Sequence, residues 1–190
     1  LTSGFNIAGI RYGAMVQNLT TVAKYGGLLF IIVVALALGL PQTGGANFTT
    51  AAPVEGIAVG AFGLALISVL WAFDGWADLT FIGGEVKEPQ RNLPRALIAG
   101  SLLVLAIYLL ANVAYLSVLT VEEIARSPLV AAEVAQRLLG SPGVMFVAAT
   151  VMLSTFGTLN GSLLTAPRIF FAMADDGMLV RKVAQVHPRF

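Results

Sequence analysis

An all-α membrane protein with about four spanning helices, one of them broken, is the fold class this sequence predicts. Three observations carry it. Apolar residues make up 57% of the 190 residues and charged residues 11%, with a mean hydropathy of +0.86, a balance outside the range of ordinary soluble domains. The apolar residues gather into four stretches rather than one, each of a length suited to a hydrocarbon core of roughly 30 Å. Within the second stretch an apolar run meets Trp71, Asp74, Gly75, Trp76 and Asp78 at what should be bilayer depth. A carboxylate there costs roughly 2.5–3.5 kcal/mol on insertion scales, which marks a functional position by default. The alternative is a kinked helix whose Asp74 bonds a neighbouring helix.

The spans are placed at about 14–40, 56–84, 96–119 and 142–173. The first is continuously apolar over 28–40, but its first half carries Gln17, Asn18, Thr20, Thr21 and Lys24 at near-helical spacing, so these can share an inward face. Lys24 lies roughly 15 Å into the helix at the α-helical rise. The choice is between a lysine that snorkels from a tilted helix and a buried, paired ammonium. The residues 41–55 are rich in Gly, Pro, Asn and Thr and free of lysine and arginine, which reads as a loop.

The second span is the interrupted one and divides into two half-helices around 73–76. Gly56, Gly60 and Gly63 give it a small-residue face for helix packing. A charged hinge, 85–95, leads into the third span, where Asn92 and Pro94 suit a helix start and only Tyr108, Asn112 and Tyr115 look inward. Thr120 and Glu123 have the spacing of a capping box, and an external helical loop over 120–141 is expected, broken at Pro128. The fourth span is polar in its middle, with Ser154, Thr155, Gly157, Thr158, Asn160, Gly161, Ser162 and Thr165. Small hydroxyl residues there also serve as plain helix–helix glue.

Lysine and arginine set the orientation. Arg11, Lys87, Arg91, Arg95, Arg168, Arg181, Lys182 and Arg189 fall on one side, and only Arg126 and Arg137 on the other. Both ends are therefore expected in the cytoplasm, of a chain embedded in the cell membrane. A net charge of +1 without a basic run points away from nucleic acid. There is no cysteine, which excludes thiol-ligated metals, and the single histidine, His187, sits in a polar tail. Asp74 and Asp78 are neighbours on one segment, unlike the two carboxylates of an aspartyl protease, which need to share a proton across a site. Neither an enzyme nor a cofactor is expected.

A broken helix at membrane depth suits binding. Half-helix N-termini attract carboxylates, and unwound carbonyls attract cations. An amino acid carries both charges, so it is the natural ligand of two such breaks, of which one is visible here.

Four motifs, in order, resemble those of the amino acid–polyamine–organocation (APC) superfamily, in its L-type amino acid transporter branch and bacterial relatives. They are Asn6-x-x-Gly9-x-Arg11 leading to Gln17-Asn18 and Lys24, then Leu70-Trp-Ala-Phe-Asp-Gly-Trp76 with Gly84-Glu-Val-Lys-Glu-Pro-Gln-Arg-Asn-Leu-Pro-Arg95. Ser154-Thr-Phe-Gly-Thr-Leu-Asn-Gly-Ser162 with Arg168 follows, and last Phe171-Ala-Met-Ala-Asp-Asp-Gly-Met178 with Val186-His-Pro-Arg189. The resemblance implies a partial LeuT-type fold of inverted helical repeats, with this chain holding the fifth to eighth segments of a larger permease.

It further implies that carbonyls of Trp71, Ala72, Phe73 and Asp74, freed at Gly75, hold a substrate ammonium, and that Trp71 gates the site. Lys24 takes the place of a sodium ion as a switch, in company with Ser154, Thr155 and Asn160. The implied activity is sodium-independent exchange or proton-coupled uptake of neutral amino acids. A cationic amino acid or polyamine carrier with Asp74 as counter-ion is the alternative, and a non-transporting sensor or assembly subunit a further one. The partners implied are the amino acid, the bilayer and the remainder of the permease, whose first segment would supply the other half of the site.

Overall fold

The structure is a computed structural model that describes residues 10–49 and 59–184. The motif at 6–9, the connection 50–58 and the tail 185–190 lie outside the described residues. Among the described residues the fold is all helical. The principal helices are α1 (Ile10–Val34), α2 (Val59–Ala72), α3 (Asp78–Phe81), α4 (Pro89–Leu116), α5 (Val121–Arg126), α6 (Val130–Leu139) and α7 (Ser141–Asp175). Three helical runs, Tyr12–Thr43, Pro89–Leu116 and Ser141–Asp175, are long and apolar enough to cross a membrane. The described part of α2, 14 residues, is about 21 Å long at the helical rise.

The contacts fall into two compact units, to both of which α1, α4 and α7 contribute. One holds 26–75 and 101–150. Here α1 passes into a π-helical stretch, Ala35–Gly39, and a last α-turn, Leu40–Thr43. The turn ends where Gly44, at φ +59°, returns its N–H to the Leu40 carbonyl, the left-handed stop that glycine makes easily. A π-stretch loosens the helical ladder, and Ser117 compensates. Its buried hydroxyl lies 3.0 Å from the Ala35 carbonyl and 2.6 Å from that of Ala114. Thr43 Oγ1 in turn donates to the Gly39 and Ser117 carbonyls.

The core of this unit is small and apolar. Ile31, Ala135 and Val147 cluster with Ala131 and Ala132 against them, and Leu119 and Val134 are fully buried. Burying a side chain of that size contributes roughly 1.5–3 kcal/mol. Phe30 and Phe146 meet with ring centroids 4.8 Å apart. Thr120 and Glu123 form the capping box: the Glu123 amide donates to the Thr120 hydroxyl and the Thr120 amide to the Glu123 carboxylate. The chain then breaks around Pro128 before α6 begins.

The other unit holds residues up to 25, 76–100 and 151 onward. Polar residues of α1 meet the small residues of α7 within it. Thr20, 5% exposed, returns its hydroxyl to the Val16 and Gln17 carbonyls and lies against Gly157, where a β-carbon would come within 2.7 Å of its Oγ1. Asn160 is completely buried and donates to the Gly13 carbonyl and to Gln17 Oε1, both at 3.1 Å.

The third apolar stretch is helical well before its apolar part starts. α4 begins at Pro89, where proline is tolerated because a first-turn N–H has no helical acceptor. Glu88, at φ +48°, turns its carbonyl to the amides of Arg91 and Asn92, and the Asn92 side chain reaches the Lys87 carbonyl at 2.6 Å. The charged hinge is thus folded into the base of the helix.

Candidate substrate site at a broken helix

The apolar run of α2 stops at Ala72, and five turn residues separate it from α3. Gly75 explains the location, since its φ of +97° lies where side chains with a β-carbon are strained. The backbone donors at the break are soon used. The Phe73 amide lies between the Val69 and Leu70 carbonyls at 3.3 and 3.2 Å, and the Asp74 amide donates to the Trp71 carbonyl at 3.1 Å.

Ala72 has the next carbonyl, and a side chain meets it. Tyr108 of α4 donates its hydroxyl to the Ala72 oxygen at 2.9 Å, and its ring stands edge-on to Phe73 with centroids 5.2 Å apart. Past that point the supply of donors fails. Among the described residues, the carbonyls of Phe73, Asp74 and Gly75 accept no hydrogen bond. Three consecutive carbonyl oxygens without donors form a patch of negative potential, and inside a membrane each would demand a partner. The Asp74 carboxylate is exposed and, among the described residues, accepts no hydrogen bond either. Trp71 is 80% exposed.

Trp71, Ala72, Phe73, Asp74 and Gly75 thus sit together in one unit, while Lys24, Ser154, Thr155 and Asn160 belong to the other. Lys24 is half-buried, with Nζ 5.5 Å from the ring centroid of Tyr25, and forms no ion pair among the described residues. Ser154 is half-buried. Thr155 is exposed and spends its hydroxyl on the Val151 carbonyl one turn back, as threonine does in helices. Lys24 lies in α1, and Asn160 of α7 is hydrogen-bonded to that helix.

Two features were not assigned a place from the sequence. Tyr108 stands out in its span as an inward polar group, but nothing in the chain says that it faces Ala72. Arg168 reads as an orientation charge and Glu85 as the start of the charged hinge, yet they form a bidentate pair, Nε to Oε1 at 2.6 Å and Nη2 to Oε2 at 3.0 Å. Arg168 also donates from Nη1 to the Leu164 carbonyl. Beside this pair lies a cavity of about 210 Å³ lined by Phe81, Arg168, Ile169, Ala172, Met173, Asp176 and Met178.

A helical membrane chain with a helix broken at an acid–glycine pair is the architecture of a permease, and known families agree. Residues 1–190 match the family described as "Amino acid permease", and the chain belongs to that family, within the APC superfamily. It is 40% identical over 188 residues to the serine/threonine exchanger SteT of Bacillus subtilis, covering 97% of this chain and 42% of that protein. It is 37% identical over 187 residues to the human b(0,+)-type amino acid transporter 1, covering 98% of this chain and 38% of the relative. With the mouse large neutral amino acids transporter small subunit 2 the identity is 32% over 193 residues, covering 98% of this chain and 35% of the relative. The chain therefore spans about two-fifths of the length of the curated relatives it matches, and those relatives are transporters. A multi-pass membrane protein follows from the family and the three long apolar helices.

Proposed function

We propose that this chain is the substrate-holding part of a secondary transporter that moves amino acids across the cell membrane by alternating access. The observation that carries the reading is the row of carbonyls at Phe73, Asp74 and Gly75 that are unbonded among the described residues, a surface that attracts cations such as an ammonium group. The family supplies the context: its description and the names of the relatives speak of amino acids. Neutral amino acids are the preferred substrates and exchange the preferred mode, supported by "exchanger" and "neutral" in the names of two relatives. Sodium plays no part in this reading, because Lys24 supplies a fixed positive charge; proton-coupled uptake is the other sodium-independent mode.

The rest of the site, above all donors for the substrate carboxylate, lies in the remainder of a longer permease. That remainder and the lipid cover apolar surface such as α2, none of whose residues is buried. The uneven distribution of lysine and arginine supports a cytoplasmic position for both ends.

Uptake by the permease containing this chain tests the reading. Reconstituted in vesicles preloaded with unlabelled amino acids, it takes up labelled alanine or leucine without sodium, and only when amino acid is present inside. Lys24→Ala abolishes exchange while leaving insertion intact. No saturable uptake of any amino acid overturns the reading.

One observation favours a second reading. The Asp74 carboxylate accepts no hydrogen bond among the described residues, so it is available as counter-ion to a lysine, arginine or polyamine. In that case Asp74→Asn eliminates cation uptake, whereas uptake of neutral amino acids survives the change under the first reading.

A further inference from the structure

Tyr108 deserves a role that the motifs do not give it. Motif matching alone counts four carbonyls, from Trp71 to Asp74, as holding the substrate ammonium. The hydrogen bonds divide the segment differently. The Trp71 oxygen receives the Asp74 amide at 3.1 Å, and the Ala72 oxygen receives the Tyr108 hydroxyl at 2.9 Å. Among the described residues the open set loses Trp71 and Ala72 and gains Gly75, leaving Phe73, Asp74 and Gly75.

From the Tyr108 hydroxyl on the Ala72 carbonyl and the Tyr108 ring against Phe73, we infer that Tyr108 is the positioning residue that ends α2 and aims the Phe73, Asp74 and Gly75 carbonyls at a substrate ammonium. The inference rests on the transport reading above and adds a residue to it.

The physical case has three parts. A freed carbonyl is an obligate acceptor away from water, so Ala72 needs a donor, and the phenol supplies one that an ammonium would otherwise supply. The ring also restricts Phe73, the first residue of the open set, through an edge-on contact of the kind aromatic pairs prefer. Finally, glycine at Gly75 leaves its own backbone free to swing; nothing among the described residues lies within 4 Å of where its β-carbon would be. A segment loose at one end needs an anchor at the other to present its carbonyls in a fixed direction, and preorganisation of this sort appears as affinity. Tyr108 touches the frame of the site and not the substrate.

Two measurements on the full permease test this. In the first, Tyr108→Phe raises KM for a neutral amino acid about five- to tenfold with kcat and the amount of protein in the membrane unchanged; Tyr108→His, which keeps a ring and an N–H donor, recovers part of the loss. An unaltered KM in Tyr108→Phe overturns the inference. Should Tyr108→Phe not accumulate, Phe73→Leu, which removes the ring contact and leaves the backbone carbonyl, carries the same expectation: KM rises at constant kcat, and an unchanged KM overturns it. The second measurement needs no transport. This chain has no cysteine, so in an otherwise cysteine-free permease Ala77→Cys reports on the turn alone. Ala77 is half-buried, and Tyr108→Phe is expected to speed its reaction with a water-soluble maleimide severalfold; equal rates overturn the inference. Faster labelling in a protein without saturable uptake would sink the transport reading and leave the anchoring by Tyr108 standing.

Discussion

Arg168 holds both carboxylate oxygens of Glu85, across 83 positions of sequence, with its Nε and Nη2 donors. Two parallel charge-assisted bonds require a guanidinium, because an ammonium cannot offer the same fork. The arginine side chain is 23% exposed and the glutamate 47%, so solvent screens the pair and its contribution is about 1 kcal/mol or less in water. Arg168→Lys keeps the charge and loses the fork, and is expected to lower the thermal midpoint of the purified permease by a few degrees. Exchanging the two residues, Glu85→Arg with Arg168→Glu, recovers part of it. A midpoint unmoved by Arg168→Lys would mean that the pair is ornamental to stability.

Gly75→Ala tests the backbone alone. No atom of the described residues lies within 4 Å of the added methyl group, so the penalty is confined to a φ of +97°, about 1–3 kcal/mol for a residue with a β-carbon. The expected outcome is a destabilised break and severalfold lower uptake. Wild-type uptake in Gly75→Ala would show that the turn adopts another conformation at no cost.

The contrast between Gly157 and Gly161 tests the packing of α1 on α7. A β-carbon at Gly157 comes within 2.7 Å of Thr20 Oγ1, whereas at Gly161 its nearest neighbour is Gln17 Nε2 at 3.5 Å. The first is a clash with a short, buried side chain, and overpacking of this kind costs roughly 1–3 kcal/mol. The second is ordinary contact. Gly157→Ala should destabilise the protein and Gly161→Ala should not, with Thr20→Ser unable to relieve the first, since it keeps the clashing oxygen, and Thr20→Ala relieving it only in part, since the Thr20 β-carbon stays at 3.0 Å. Thermal unfolding of the four variants decides.

Acid should loosen the connection between α4 and α7. The Arg137 side chain, followed by the Thr120 amide, lowers the Glu123 pKa from 4.5 to about 2, and Arg137 also contacts Glu133 at 3.3 Å. A carboxylate whose folded pKa is depressed contributes stability above its unfolded value, and the contribution is lost as pH falls from about 4.5 towards about 2. Both partners are more than a third exposed, so salt weakens the effect. Arg137→Gln should return Glu123 towards the ordinary carboxylate range, as read from the ¹³C titration of its side-chain carboxyl in lipid nanodiscs. A Glu123 midpoint still near 2 in that variant would assign the shift to the capping box instead.

How far these features were legible in the chain depends on whether they are local. The break at Gly75 and the box at Thr120 and Glu123 are encoded within a few residues, so periodicity and capping rules find them. The polar face of α1 is likewise visible as spacing, and Gln17 and Thr20 do meet Asn160 and Gly157 of α7. Tyr108 and Ala72 are different: 36 positions separate them, and no pattern along one helix can say which carbonyl a tyrosine on another will reach. The same holds for Glu85 and Arg168. The π-stretch at Ala35–Gly39 is hidden for another reason, because Ala-Leu-Ala-Leu-Gly has the composition of any apolar helix and the extra residue is accommodated by Ser117, far along the chain.

That π-stretch has an evolutionary consequence. A helix that closes its bonds one residue later holds one residue more than a regular α-helix would over the same rise, turning everything after it by roughly 100°. Permeases descended from a common ancestor should therefore differ by one residue in length at this point, with the shorter ones regular here and lacking the hydroxyl that Ser117 supplies. Serine at 117 and the added residue in 35–39 would then be inherited as a pair, each of little use to a protein that has only the other.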